Sequence, residues 1–248
     1  MRKFLLIPFL IFSQYLLAQC FVNEGAGGES SYKTFTSSGN TWIDQTFYQN
    51  NQYLINTLGV QVQVGYYDDS ETGPNAFAMT HENYYIDGQT YFGINLLNQY
   101  FTSDSYNAGF YVLWILSHEY AHILQFKNNG PYWETTKWNE LQADFIAGSI
   151  AAKHIQENNV NILDLNWRNQ YTQQYANVAI QFFENLGDTN FGSKHHHGTA
   201  SERASAFVAG VNFGLSYGTQ IINYGTYITS SLNVHAVWNA SVDYINKL

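Results

Sequence analysis

The sequence predicts an α+β protein in one domain, with a small, mostly antiparallel sheet laid over a bundle of helices. Three observations carry that prediction. Val60, Val62 and Val64 alternate with Gln61 and Gln63, which is the two-residue period of a strand. From Ala108 onward the apolar residues recur at helical spacing instead. Between the two halves, the stretch from Phe110 to Phe126 is apolar nearly all round, as a helix inside a core must be. That stretch also holds His118, Glu119 and His122.

Length and composition agree with one globular body. The chain has 248 residues, 45% hydrophobic and 12% charged, so a sizeable core is available. The formal charge is −9. Such a surface repels nucleic acid and anionic membrane, so neither is expected as a partner. Residues 1–19 read as a signal peptide. Arg2 and Lys3 form its basic start, Phe4 to Leu17 its apolar middle, and Leu17-Ala18-Gln19 its cleavage site. The apolar part falls short of the roughly 20 residues that cross a bilayer, so no stable membrane insertion is expected. The protein is therefore expected to be secreted or otherwise extracytoplasmic. A lipid anchor on Cys20 is the alternative, which Gln19 fits poorly. Cys20 is the only cysteine, so an internal disulfide is excluded.

The elements follow in order. Residues 20–40 are rich in Gly, Ser and Thr and read as a flexible lead-in to a domain spanning 41–248. Trp42, Ile43, Phe47, Tyr48, Leu54, Ile55 and Leu58 predict a helix over 41–58. A strand follows over 60–64, and a second from Pro74 to Met79. Tyr84 to Ile86 and Tyr91 to Ile94 flank Asp87-Gly88, which predicts a hairpin turning on that doublet. The helix of the apolar stretch stops at Asn128-Asn129-Gly130-Pro131. Further helices are expected over 139–155, 167–186, 200–215 and 233–248.

His118-Glu119-x-x-His122 carries the chemistry. Residues four apart on a helix share a face, so both rings can address one ion. Zinc takes neutral imidazole nitrogen at about 2.0–2.1 Å and favours four ligands. Mn, Co and Ni accept the same groups. Glu119 is placed to take a proton from a water held there. Alone, a five-residue pattern arises by chance. Here it sits in a core helix, where burying two His and a Glu without partners would cost several kcal/mol. Glu140 is the candidate third ligand, on a helix that folds back after the turn. Its bland reading is a first-turn acid favoured by the helix dipole. That leaves Asp144, on the same face, without a role. As an outer partner, Asp144 would accept the far N–H of a ligating His.

The set His118-Glu119-x-x-His122 followed by Glu140-x-x-x-Asp144 resembles the gluzincin zinc metallopeptidases. The nearest likenesses are the prenyl-protein and heat-shock metallopeptidases with their soluble minigluzincin relatives, and the neutral zinc metallopeptidases. Asn75-Ala76-Phe77-Ala78 looks like the edge-strand motif those enzymes place ahead of the metal helix. Leu141 to Gly148 is similar to the neutral enzymes' second helix, and His197-Gly198 with Arg203 to their later segment. The resemblance implies a zincin-like fold, one Zn2+ held by His118, His122 and Glu140, and Glu119 as general base. It further implies an oxyanion donor at His197 or Arg203, and an extended peptide paired with Asn75, Ala76, Phe77 and Ala78. Arg203 has a structural alternative, pairing with Asp144 or Glu202. His195 and His196 are expected at the surface.

Two functions follow. The first is a secreted zinc-dependent peptidase, with a peptide or protein as substrate. The second is a non-catalytic module that keeps zinc for structure and captures an extended peptide partner. Glu119 argues for the first, because a structural site gains little from a base.

Overall fold

The computed structural model describes residues 21–22, 33–71, 73–103, 108–130, 133, 135–158, 177–183, 186, 196–223 and 228–248. The expected leader, Cys20 and His195 lie outside them. So does most of the helix expected over 167–186, of which 177–183 are helical. No described helix is long and apolar enough to cross a membrane.

Helix α1 spans Thr41–Leu58, as the periodicity predicts. The Asn40 side-chain oxygen accepts the backbone N–H groups of Trp42 and Ile43, at 3.0 and 3.4 Å. Gly59 ends the helix in the left-handed region at φ 64°, where glycine carries no Cβ penalty. Ile43, Phe47, Leu54 and Leu58 form its buried stripe.

The sheet has five strands: β1 (Phe21–Val22), β2 (Thr34–Phe35), β3 (Val62–Tyr67), β4 (Ala76–Met79) and β5 (Gly88–Gly93). Their order is β1-β4-β5-β3-β2. It is mixed, not mostly antiparallel: β2–β3 and β4–β5 are antiparallel, whereas β1–β4 and β3–β5 are parallel. The reason is topological. The chain from β3 to β5 runs through β4, which docks on the far edge of β5, so β5 returns in β3's direction. Both ends of the expected lead-in, β1 and β2, join the sheet.

The expected hairpin at Asp87-Gly88 does not form. Gly88 opens β5 and lets that strand approach the helix behind it, since a Cβ there would lie 2.5 Å from Ile123 Cδ1. Asp87 accepts the Gln61 N–H at 2.7 Å and pairs with Lys127 at 3.0 Å. After β5, Ile94 begins an unpredicted helix, α2 (Ile94–Ser103). Buried Asp69 accepts the N–H groups of Asn95 and Leu96 at 2.8 and 3.0 Å, capping α2 from a distant loop.

Helix α3 (Ala108–Lys127) is buried on all sides by α1, β4, β5 and α4 (Thr136–Asn158). It ends in paired bonds from Asn129 N–H to Phe126 O and from Gly130 N–H to Gln125 O. Asn129 and Gly130 supply the positive φ such an ending needs. Helix α5 (Ala200–Phe213) packs along α4 and runs into a π-helical turn, Gly214–Gly218. An unpredicted hairpin, β6 (Thr219–Asn223) and β7 (Ile228–Leu232), leads to α6 (Val234–Ile245), which packs on α4. Two glycines set the α4–α5 distance. A Cβ on Gly148 would lie 2.1 Å from Phe207 O, and one on Gly210 1.9 Å from Phe145 O.

Candidate metal centre

Helices α3 and α4 bring three sequence-predicted groups together. His118, His122 and Glu140 place ligand atoms within 4.8 Å of one another, all of them buried. His118 Nε2 stands 3.1 Å from His122 Nε2 and 3.1 Å from Glu140 Oε2. His122 Nε2 stands 3.5 Å from Glu140 Oε1. Two atoms each about 2.0–2.1 Å from a tetrahedral ion would stand roughly 3.3 Å apart. The observed separations are close to the edges of that tetrahedron.

The neighbours of the two Nδ1 atoms point the same way. His118 Nδ1 lies 2.9 Å from Asp144 Oδ1, a carboxylate oxygen that accepts. His122 Nδ1 lies 2.8 Å from Gln125 Oε1, also an acceptor. If both rings carry their proton on Nδ1, both Nε2 atoms turn lone pairs toward each other and toward a carboxylate. A cation among them satisfies all three. Charge argues likewise. Glu119, Glu140, Asp144 and Arg203 are all buried, with formal charges summing to −2, which a divalent ion cancels. Burial opposes ionisation of Glu140, but the His122 and His118 rings, when they present Nε2–H rather than a lone pair, and Arg203 outweigh it and hold its carboxyl well below the usual range. Zinc is one of several ions this donor set fits.

Arg203 reaches the centre from α5. It donates through Nε and Nη2 to Asp144, the latter at 2.9 Å, and Nη1 is 3.3 Å from Glu140 Oε2. Three nitrogens thus face two carboxylates, and Asp144 is one of the two partners expected for a structural Arg203. A capping box starts α5: the Glu202 N–H donates to Thr199 Oγ1 at 3.1 Å and the Thr199 N–H to Glu202 Oε2 at 2.8 Å. His197 precedes that cap and is buried, as is His196, which corrects the expectation of a surface position for His196. Gly198 between them and the cap, at φ +97°, lies against Leu141 and Arg203.

Glu119 and His118 line a cavity of about 10 Å³, room for one water molecule. Its other walls are apolar: Ala76, Leu96, Tyr100, Ile115, Phe182 and Leu186. Strand alternation turns Ala76 and Ala78 toward α3 and Phe77 to the other face, against Tyr67 and Tyr91. Asn75, just ahead of β4, is buried and its carbonyl accepts the Gly93 N–H at 2.8 Å. Asn75 to Ala78 was expected on an open edge. Instead β1 lies alongside, with Phe21 opposite Phe77 and Val22 opposite Ala78. Covering unpaired backbone groups is the usual remedy for an exposed strand edge.

Three polar residues near the centre have no role assigned by the motifs: Gln125, Gln142 and Ser241. Gln125 stands three residues after His122, so helical spacing alone could have flagged it. Ser241 lies on α6, with no local signal to connect it. The chain matches no family model, no curated protein and no solved structure, so residues and geometry carry the functional reading alone.

Proposed function

We propose that this chain is a zinc-dependent peptidase, exported by its leader, that hydrolyses peptide bonds with Glu119 as general base. The observation that carries the reading is the placement of Glu119 on a water-sized cavity that His118 also lines. Zinc, when bound, supplies a Lewis acid that acidifies a neighbouring water and polarises a carbonyl. His118, His122 and Glu140 would hold it, and Asp144 orients His118. Glu119 takes the proton from the attacking water and hands it to the leaving amine. The apolar walls exclude bulk water, which strengthens electrostatic effects inside the site. His197 or Arg203 would be the donor for negative charge growing on the carbonyl oxygen, and the engagement of Arg203 by Asp144 and Glu140 favours His197.

One observation favours the second reading. His118 is 1% exposed and Glu119 0%, so the centre is shut from solvent, as a structural ion's site would be. The test separates the two. Zinc-loaded protein is incubated with denatured protein and a peptide library, with and without chelator, beside Glu119→Gln. Hydrolysis that vanishes in both controls, with zinc retained by the variant, supports the peptidase. A zinc-loaded protein that cleaves no peptide or amide supports the non-catalytic module.

A further inference from the structure

His122 is held differently from His118. A carboxylate oxygen of Asp144 lies 2.9 Å from His118 Nδ1, whereas the amide of Gln125 hydrogen-bonds His122. An amide can face either way, so something must fix Gln125. Its Nε2 lies 2.9 Å from the backbone carbonyl of Asn139, which only accepts, so the NH2 group must be on that side. Oε1 then faces His122 Nδ1, at 2.8 Å. The same Nε2 donates to Gln142 Oε1 at 2.8 Å. That turns the Gln142 NH2 to Ser241 Oγ, at 3.0 Å. Ser241 in turn donates its hydroxyl proton to Trp238 O at 2.7 Å. Two backbone carbonyls, one at each end, thus set every donor and acceptor along the row. Gln125, Gln142 and Ser241 are all buried, so water does not compete for these groups.

We propose that Gln125, Gln142 and Ser241 form a buried relay through which the C-terminal helix α6 fixes the His122 ring and sets metal affinity. They are positioning residues: none is itself a ligand. The relay locks the proton on Nδ1 and keeps the Nε2 lone pair aimed at the ion. Without Ser241, the Gln142 NH2 loses its acceptor and the Gln142 amide loses its fixed direction. Gln125 then keeps only the Asn139 carbonyl to hold it. Removing Gln125 itself frees the ring. Outer partners of metal-bound histidines typically contribute roughly 10–100-fold to affinity.

The inference rests on the metal-site part of the proposed function, and hydrolysis is not needed to test it. Zinc affinity is measured by competition with a chelating dye for the full chain and three variants. Gln125→Leu is expected to weaken zinc binding by roughly 10–100-fold, and Ser241→Ala by a smaller factor in the same direction. Gln156→Leu is the control, a buried glutamine on the same helix as Gln142 but outside the row. Its affinity should stay within about twofold of the parent. A second readout is the His122 ring in zinc-loaded protein, where nitrogen-15 NMR should find the proton on Nδ1, exchanging faster in Ser241→Ala. The relay is overturned if Gln125→Leu and Ser241→Ala bind zinc like the parent. It is overturned equally if Gln156→Leu loses as much affinity, which would mark a general packing effect. A parent that binds no zinc overturns the metal centre and the relay together. Failure of hydrolysis alone leaves the relay standing.

Discussion

Arg203 shows what a single side chain does at this centre. It is buried beside two carboxylates, Glu140 and Asp144, and faces both. Breaking such a pair from one side leaves charge buried without compensation, at a cost of about 3–5 kcal/mol. Arg203→Gln should therefore lower unfolding stability by that amount in denaturant titration of metal-free protein. A loss under 1 kcal/mol would mean that Asp144 is paired elsewhere. Glu202, one residue earlier, offers a pH test. Burial raises its pKa, but the Thr199 N–H and the Lys137 ammonium outweigh that and hold it below the ordinary glutamate value. Its contribution is thus complete above the unfolded pKa and lost as pH falls through the depressed one. Glu202→Gln should lower the melting temperature at pH 7, with the gap to the parent closing as the solution is acidified. A gap that widens on acidification would contradict this. The candidate site was legible because helical spacing is local: His118, Glu119 and His122 share one turn, and Glu140 with Asp144 repeats the period. Gln125 and Gln142 were as near in sequence but went unread, because nothing about a lone amide reports which backbone carbonyl will orient it.

At the scale of elements, the helices were the legible part. α1 runs over the predicted residues, because apolar periodicity and the Asn40 and Gly59 caps all speak within one stretch of chain. The strands were half legible. Alternation marked β3, but pairing depends on partners far along the chain, so the parallel β3–β5 register was invisible. Asp87-Gly88 misled for a physical reason. The doublet usually signals a turn, whereas here the glycine serves close approach to Ile123. α2 was missed because its cap, Asp69, comes from a loop 26 residues upstream of Asn95. The α4–α5 contact carries a prediction of its own. Gly148→Ala would drive a methyl group into Phe207 O, so the helices must part and α5 must carry Arg203 away from α4. Zinc affinity should fall along with melting temperature. If stability falls and affinity holds, the helix contact does not position the centre.

For the whole molecule, the central feature is one helix enclosed by other helices and the sheet. α3 is largely apolar but buries two imidazoles, Glu119, Ser117 and Gln125, and its neighbours supply partners for the imidazoles and for Gln125. α4 brings Glu140 and Asp144, α5 brings Arg203, and α6 reaches in through Ser241. The −2 formal charge of Glu119, Glu140, Asp144 and Arg203 suits a dication, and binding one would stabilise the fold that builds the site. The most direct measurement is the number of zinc ions per chain, by elemental analysis after dialysis, for the parent and for His118, His122 and Glu140 each replaced by Ala. One ion in the parent, and loss in each variant, is the predicted result. A parent without zinc, or variants that all keep it, would contradict the account.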